Sequence, residues 1–215
     1  MSWAKEIEEI RYREELAKRM GGEERVAKHK SQGKLTVRER INKLLDEGSF
    51  HELGAIAGKA VYDDAGKLTD FTPANFVFGT GTIDGRKVVV GGDDFTVRGG
   101  AADGSIVGKQ IYSERLAHDL QIPIIRLVDG TGGGGSVKTI IEEGYTYIPI
   151  NPAWDSVVEN MERVPVVAAC LGSVAGLGAA RVAASHFSIM VEGTSQLFVA
   201  GPPVVKYGMG QDLTK

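Results

Sequence analysis

The sequence predicts an α/β fold whose sites are built largely from backbone, and three observations carry that reading. Short β-branched or aromatic runs recur at residues 76–83, 87–95, 124–128 and 164–170. Glycine-rich loops follow two of them, at residues 130–136 and 172–178. Helical patterns separate the strands, at residues 103–120, 153–163 and through Ala184. Repeated strand, glycine loop and helix units give layered α/β architecture.

The elements follow in order. Residues 3–20 form a charge-rich amphipathic pattern with Glu-to-Lys/Arg spacings that suit a solvated helix, and Gly21-Gly22 ends it. A basic segment comes next: Lys28, His29, Lys30, Lys34, Arg38 and Arg40. Within it, Thr36-Val-Arg-Glu39 is a capping-box signature, and the helix is expected to run to about Glu47, before Gly48. From Phe50 the pattern turns to strand. Residues 55–62, 76–83 and 87–95 are the first strands, with turns at residues 63–66 and at Asp84-Gly85. Asp103 can cap a helix to Leu120, with Val107, Ile111 and Leu120 facing the core. Pro123 opens the strand at 124–128. Further strands are expected at 187–191 and 196–199. These elements divide the chain into a helical N-terminal extension, residues 1–48, and an α/β body, residues 49–215.

Composition narrows the function. Apolar residues make up 42%, enough for a sizeable core. The net charge of -3 offers no global attraction to nucleic acid or to an anionic membrane, so any anion site must be local. No apolar stretch approaches the roughly 20 residues of a bilayer span. The N-terminus has neither the apolar core of a signal peptide nor the acid-poor bias of a transit peptide. A cytoplasmic protein is expected, with neither membrane nor nucleic acid as partner. The lone cysteine, Cys170, lies in an apolar run, which excludes an internal disulfide framework and reads as a buried thiol. The 29 glycines, about twice the usual share of roughly 7%, cluster in short runs after apolar segments.

Several tempting motifs fail on spacing. Lys138-Thr139 follows a glycine loop, but Val137 stands where a phosphate-binding loop needs glycine. In Gly172-Ser-Val-Ala-Gly176 the serine is one place too early for a nucleophile elbow, so Ser173 is read as a turn residue. His29, His51, His118 and His186 show no metal-ligand spacing, and no metal is expected. Asp93-Asp94 is either an acidic pair in a cleft or, more commonly, turn hydrogen bonding at a strand end. The basic run from Lys28 to Arg40 is either a solvated helix face or a local phosphate site.

Taken together, the two glycine loops can present backbone N–H groups at strand ends. Facing each other, they would make an oxyanion hole for a developing enolate. On spacing alone this stands level with a second reading, in which the small residues of 176–184 simply allow close packing.

Resemblance separates the two. Val164-Pro-Val-Val-Ala-Ala-Cys-Leu-Gly-Ser-Val-Ala-Gly-Leu-Gly-Ala-Ala180 resembles the oxyanion segment of the crotonase superfamily, as do residues 187–191 and 196–203. Gly33-Lys-Leu-Thr-Val-Arg-Glu-Arg-Ile41, extended by residues 44–50, resembles the N-terminal signature of acyl-CoA carboxyltransferase β-subunits. So does Gly79-Thr-Gly-Thr-Ile-Asp-Gly85, extended through Gly100. The chain is thus similar to the N-terminal half of the propionyl-, methylcrotonyl- and acetyl-CoA carboxyltransferases and of related CoA-ester decarboxylase subunits.

The resemblance implies a crotonase-like ββα superhelix behind the helical extension. It implies an acyl-CoA substrate and biotin as cofactor, carried as carboxybiotin on a separate domain or subunit. It also implies an enolate held by backbone N–H groups. The expected oxyanion donors are Gly132, Gly133, Gly176, Leu177 and Gly178. The expected CoA contacts are Lys34, Arg38, Thr131 and Gly134. Expected partners are further copies of the chain, a C-terminal carboxyltransferase half and a biotin carboxylase and carrier component. Residues 211–215 read as an internal position of such a protein, so the chain alone is expected to be catalytically incomplete.

Departures from the family pattern bear on the acyl group. The first loop lacks the arginine that usually closes it. Leu177 separates two glycines that are usually adjacent, and His186 stands where aspartate is common. A crotonase-type hydratase would need two glutamates, and Ala180 and Pro203 occupy those positions. A biotin-dependent decarboxylase subunit and a noncatalytic CoA-binding or assembly subunit are the alternatives.

Overall fold

The computed structural model describes residues 2–100, 107–130, 141, 144, 153–199 and 201–212. Three helices begin the chain: α1 (Ala4–Lys18), α2 (Glu23–Ser31) and α3 (Val37–Leu44). Helix α1 is mostly solvated, as its charges predict, and lies against β3 (Leu68–Pro73). That strand forms a separate antiparallel hairpin with β2 (Gly58–Tyr62).

Helix α3 forms where the capping box places it. The Thr36 N–H donates to Glu39 Oε2 at 2.8 Å, and the Glu39 N–H donates to Thr36 Oγ1 at 3.3 Å. The helix stops at Leu44, three residues short of the expected end. Tertiary contacts stop it. Leu45 turns into the core, and the Asp46 N–H donates to Thr82 O at 2.8 Å. The Asp46 carboxylate then accepts from the Thr82 hydroxyl and from the N–H groups of Asp84 and Gly85.

The main sheet has six strands in the order β1 (His51–Leu53), β4 (Phe76–Ile83), β5 (Arg86–Asp93), β6 (Ile124–Val128), β7 (Val166–Cys170) and β9 (Phe187–Met190). The first three pair antiparallel; β5, β6, β7 and β9 pair parallel. Helix α4 (Val107–Leu120) precedes β6, and α5 (Ala153–Arg163) precedes β7.

After β7 the chain repeats one unit twice. Strand β8 (Ser173–Ala175) and helix α6 (Leu177–Ala183) follow β7; β10 (Gln196–Phe198) and α7 (Pro202–Met209) follow β9. Strand β9 lies parallel to β7 and β10 parallel to β8, so each β-β-α unit stacks on the one before. The second glycine loop therefore contains a short strand.

Strand alternation sorts the core onto two faces. Val88 and Val90 face α3 and pack with Val37, Ile41, Leu45 and Leu127. Val89 faces the other way and packs with Ala117, Ile124, Val164 and Val166. Helix α3 can press close to the sheet because Gly92 has no side chain: a Cβ there would lie 2.7 Å from Val37 Cγ2. Helix α3 and the sheet thus share one core across the boundary expected at residue 48.

Two expectations fail on α4. Leu120 is exposed and Ile111 only partly buried. The inward face is instead Gln110, Ser113, Glu114 and Ala117. A polar residue sets the phase of this helix, because Glu114 reaches buried Arg126 on β6, and hydrophobic periodicity cannot register that.

Candidate functional site

Strands β5, β6 and β7 run parallel, so Asp93, Asp129 and Leu171 come out together at their carboxyl ends. That edge is where open α/β sheets place their ligands. Asp129, directly after β6 and before the first glycine loop, is fully buried. Arg40 Nη2 donates to its Oδ2 at 2.7 Å, and Lys34 Nζ lies 3.6 Å from Oδ1. His29 Nε2 accompanies them, 3.9 Å from Oδ2 and 3.1 Å from Leu35 O. The basic run is therefore neither a solvated face nor an open phosphate cluster at these three positions. Burying a carboxylate is costly unless it is paired, and these side chains pair it.

The neighbouring aspartates are both buried and have different partners. Asp94 accepts from the Thr96 N–H at 2.9 Å and from its hydroxyl at 2.6 Å, closing the turn after β5. Asp93 accepts from the Asp129 N–H at 3.1 Å and lies 3.4 Å from Arg181 Nη1 on α6. Burial pushes the carboxyls of both Asp93 and Asp94 above their usual range; Arg181 opposes that at Asp93, and Thr96 opposes it at Asp94.

The second glycine loop sits directly on this cluster. A Cβ on Gly172 would lie 1.9 Å from Asp129 Oδ1, so only glycine allows the backbone to pass there. The Ala175 N–H donates to Gly130 O at 3.4 Å, joining the two loops at their roots. Ser173 Oγ donates to Gln196 Oε1 at 2.7 Å, a structural use in place of a nucleophilic one. Cys170 is buried, and burial raises its thiol pKa.

The expected oxyanion donors separate. Gly176 adopts φ 57°, which glycine tolerates, and its N–H donates to Phe198 O at 3.2 Å. That N–H is engaged by the backbone in this structure. Leu177 and Gly178 open α6, where the first N–H groups of a helix have no intrahelical acceptor. Thr131, Gly132, Gly133 and Gly134 lie outside the described residues.

Of the expected CoA contacts in the N-terminal segment, Lys34 is buried against Asp129. Arg38 donates to Glu52 through two bonds, at 2.7 and 3.1 Å. Any anion approaching Arg38 must compete with that bidentate carboxylate. His186, at the position where aspartate is common, accepts from the Val166 N–H at 3.0 Å through Nδ1 and approaches Met161 O with Nε2 at 2.9 Å. It ties β7 to α5.

Sequence reasoning missed Arg126. It is almost fully buried beneath α6, bound to Glu114 on α4, and its Nη1 donates to Arg181 O and Ala184 O at the C-terminal end of α6. A charged residue in the middle of an otherwise apolar strand, Ile-Ile-Arg-Leu-Val, was the available signal.

Among the described residues, no group of three or more His, Cys, Asp or Glu side chains could hold a metal ion, and no helix is long and apolar enough to cross a membrane.

A family model for the carboxyl transferase domain matches residues 28–215. The methylmalonyl-CoA decarboxylase subunit alpha of Veillonella parvula is 34% identical over 196 residues, which cover 90% of this chain and 37% of that protein. The biotin-dependent acetyl-/propionyl-coenzyme A carboxylase beta5 subunit of Mycobacterium tuberculosis is 35% identical over 213 residues, covering 98% and 38%. Among solved structures, transcarboxylase 12S, a hexamer seen with methylmalonyl-coenzyme A bound, superimposes with a TM-score of 0.80 at 30% identity, covering 100% of this chain and 41% of that one. The α/β architecture is the crotonase-like one expected. The chain spans about two fifths of the length of these relatives.

Proposed function

Because the chain belongs to the carboxyl transferase domain family, we propose that it forms the acyl-CoA-handling part of a biotin-dependent carboxyltransferase. Its task is to hold the thioester while the α-carbon loses a proton and gains a carboxyl group. The observation that carries this reading is the start of α6, where the Leu177 and Gly178 N–H groups follow a loop that passes directly against the buried Asp129 carboxylate. N–H groups fixed before the reaction stabilise the enolate oxygen as its charge develops, with little reorganisation.

Carboxybiotin, held on a separate carrier, supplies both the carboxyl group and the base. The chain's own side chains fit that division of labour. Each carboxylate at the strand ends is bonded within the protein: Asp129 to Arg40, Asp93 to the Asp129 N–H, and Asp94 to Thr96. None of the three stands ready to take the α-proton. The chain then contributes orientation and a low-polarity setting for the enolate.

The partners proposed are further copies of the chain, a second carboxyltransferase half and a biotin-bearing component. Transcarboxylase 12S, with its hexamer assembly, supports the first. A decarboxylase role is the second reading, favoured by the methylmalonyl-CoA decarboxylase relatives, whose 34% and 32% identity falls within the 31–35% of the carboxylase subunits.

The test is acyl-CoA-dependent carboxyl transfer by the assembled enzyme. Gly178→Val is expected to lower turnover by about 10²–10³, the usual cost of one oxyanion donor. Leu177→Gly keeps the N–H and should retain turnover. Wild-type turnover in Gly178→Val would refute the reading. A wild-type assembly that decarboxylates but does not carboxylate would favour the second one.

A further inference from the structure

A single nitrogen connects the roots of both glycine loops. Arg40 Nη2 donates to Asp129 Oδ2 at 2.7 Å and to Leu171 O at 3.3 Å. Asp129 ends the lead-in to the first loop, and Leu171 ends the lead-in to the second. We infer that Arg40 is a positioning residue for carboxyl transfer: through Asp129 and Leu171 it fixes the chain at Gly130 and Gly172, where the two loops begin, relative to each other. This rests on the proposed oxyanion role of the loops, but its structural half can be tested separately.

The argument begins at the capping box. Thr36 and Glu39 fix the start of α3, and Val37 and Ile41 lock its face into the sheet core. That phase aims Arg40 at the ends of β6 and β7. There the guanidinium meets two acceptors from chain segments far away in sequence, 89 and 131 residues on. A planar guanidinium with several donors can hold both in a fixed geometry. The strand ends are already joined by the Leu171 N–H, which donates to Val128 O at 2.9 Å. Arg40 extends that pairing by one step, past the point where the parallel ladder stops.

The site is over-determined at this point. Gly172 passes against Asp129 with no room for a side chain, and Lys34 and His29 close the other sides of the carboxylate. From Asp129 the connection continues to α6: the Asp129 N–H donates to Asp93, and Asp93 faces Arg181 on α6, whose first residues carry the proposed donors. A displacement of Asp129 would therefore reach Gly130, Gly172 and the start of α6. A misplacement of about 1 Å in a reacting geometry can cost about a hundredfold in rate. A core residue with no such connection would alter stability and leave turnover per folded enzyme unchanged.

The experiment has two readouts. Hydrogen exchange is measured on the full chain at the Ala175 and Gly176 amides, with the β2–β3 hairpin as internal reference. Turnover and the acyl-CoA KM are measured on the assembled carboxyltransferase. The variants are Arg40→Lys, which keeps the charge, and the pair Arg40→Met/Asp129→Leu, which removes both charges of the ion pair and leaves Lys34 against the Phe95 ring. In the pair, exchange at Ala175 and Gly176 should rise at least tenfold while the hairpin is unchanged. Turnover should fall tenfold or more with KM within about threefold, since the oxyanion develops only towards the transition state. Arg40→Lys should recover part of both. If the pair does not fold, Arg40→Lys decides alone: partial loss of turnover supports the inference. Wild-type exchange and turnover in whichever variant folds would overturn it. Gly178→Val in the same assembly separates the two ideas. If it turns over normally, the oxyanion reading fails, and the exchange data still judge the Arg40 connection.

Discussion

Arg126 and Glu114 meet through two bonds inside the protein, Nε to Oε1 at 2.8 Å and Nη2 to Oε2 at 2.9 Å, with both side chains almost fully buried. Asn160 on α5 donates to Glu114 O and to Oε2, each at 3.0 Å. The remaining guanidinium nitrogen caps the carbonyl end of α6. One ion pair thus fixes α4, α5 and α6 against β6. Burying such a pair carries a large desolvation cost that its geometry offsets.

Removing one partner leaves the other charged and buried. Arg126→Met or Glu114→Leu alone is expected to cost about 3–5 kcal/mol, and the double substitution much less than their sum. Urea unfolding of the four proteins measures the coupling. Additive losses would show that the bonds contribute nothing to folding.

Gly172→Ala should destabilise the fold by about 1–3 kcal/mol or more, as overpacking does. The new Cβ would lie 1.9 Å from Asp129 Oδ1 and 2.7 Å from Lys34 Nζ, so the clustered charges must shift. Thermal unfolding reads the loss. An unchanged midpoint would show that the Asp129 cluster yields easily, against the close approach described here.

Lys109 carries a pH dependence. It is buried beside Glu52, 3.9 Å away, and burial lowers its pKa to about 8 while Glu52 partly opposes the shift. Between about pH 8 and the ordinary value of 10.5 the folded protein has released a proton that the unfolded chain still holds. Stability attributable to this residue therefore rises with pH across that window and is constant below it. Lys109→Met should be more stable than wild type at pH 7, with the difference shrinking as pH climbs to 10.5. A difference independent of pH would contradict the assignment.

Glu39 works in the opposite direction. Its bond from Lys30 Nζ at 2.6 Å, followed by the Thr36 N–H, holds its carboxyl at about 2, below the ordinary 4.5. Its contribution is fully present above pH 4.5 and is lost as pH falls towards 2. The side chain is partly exposed, so solvent screens the pair and the contribution is at most about 1 kcal/mol. Glu39→Gln should narrow the gap to wild type as the pH falls, and salt should narrow it too. The readout is helix α3 melting by circular dichroism across pH 2–6.

Local pattern was enough for much of this molecule. Thr36 and Glu39 announced the start of α3 because a capping box is a contact between residues three apart. The β-branched run Val88-Val-Val90 announced a strand, and the glycine loops announced backbone turns after β6 and β7. The family was legible in residues 33–41, 79–100 and 164–180, where close backbone approach restricts the choice of residue. What sequence spacing could not decide was the use of its charges. Arg40 finds Asp129 and Leu171 only when α3 packs on Gly92, and Arg126 finds Glu114 only when α4 crosses β6. Leu120 is exposed for the same reason, since a buried carboxylate sets the phase of its helix. Hydrophobic periodicity reports what a segment does with its own neighbours. The partner of a buried charge is chosen by the packed fold, because only there does leaving it unpaired become costly.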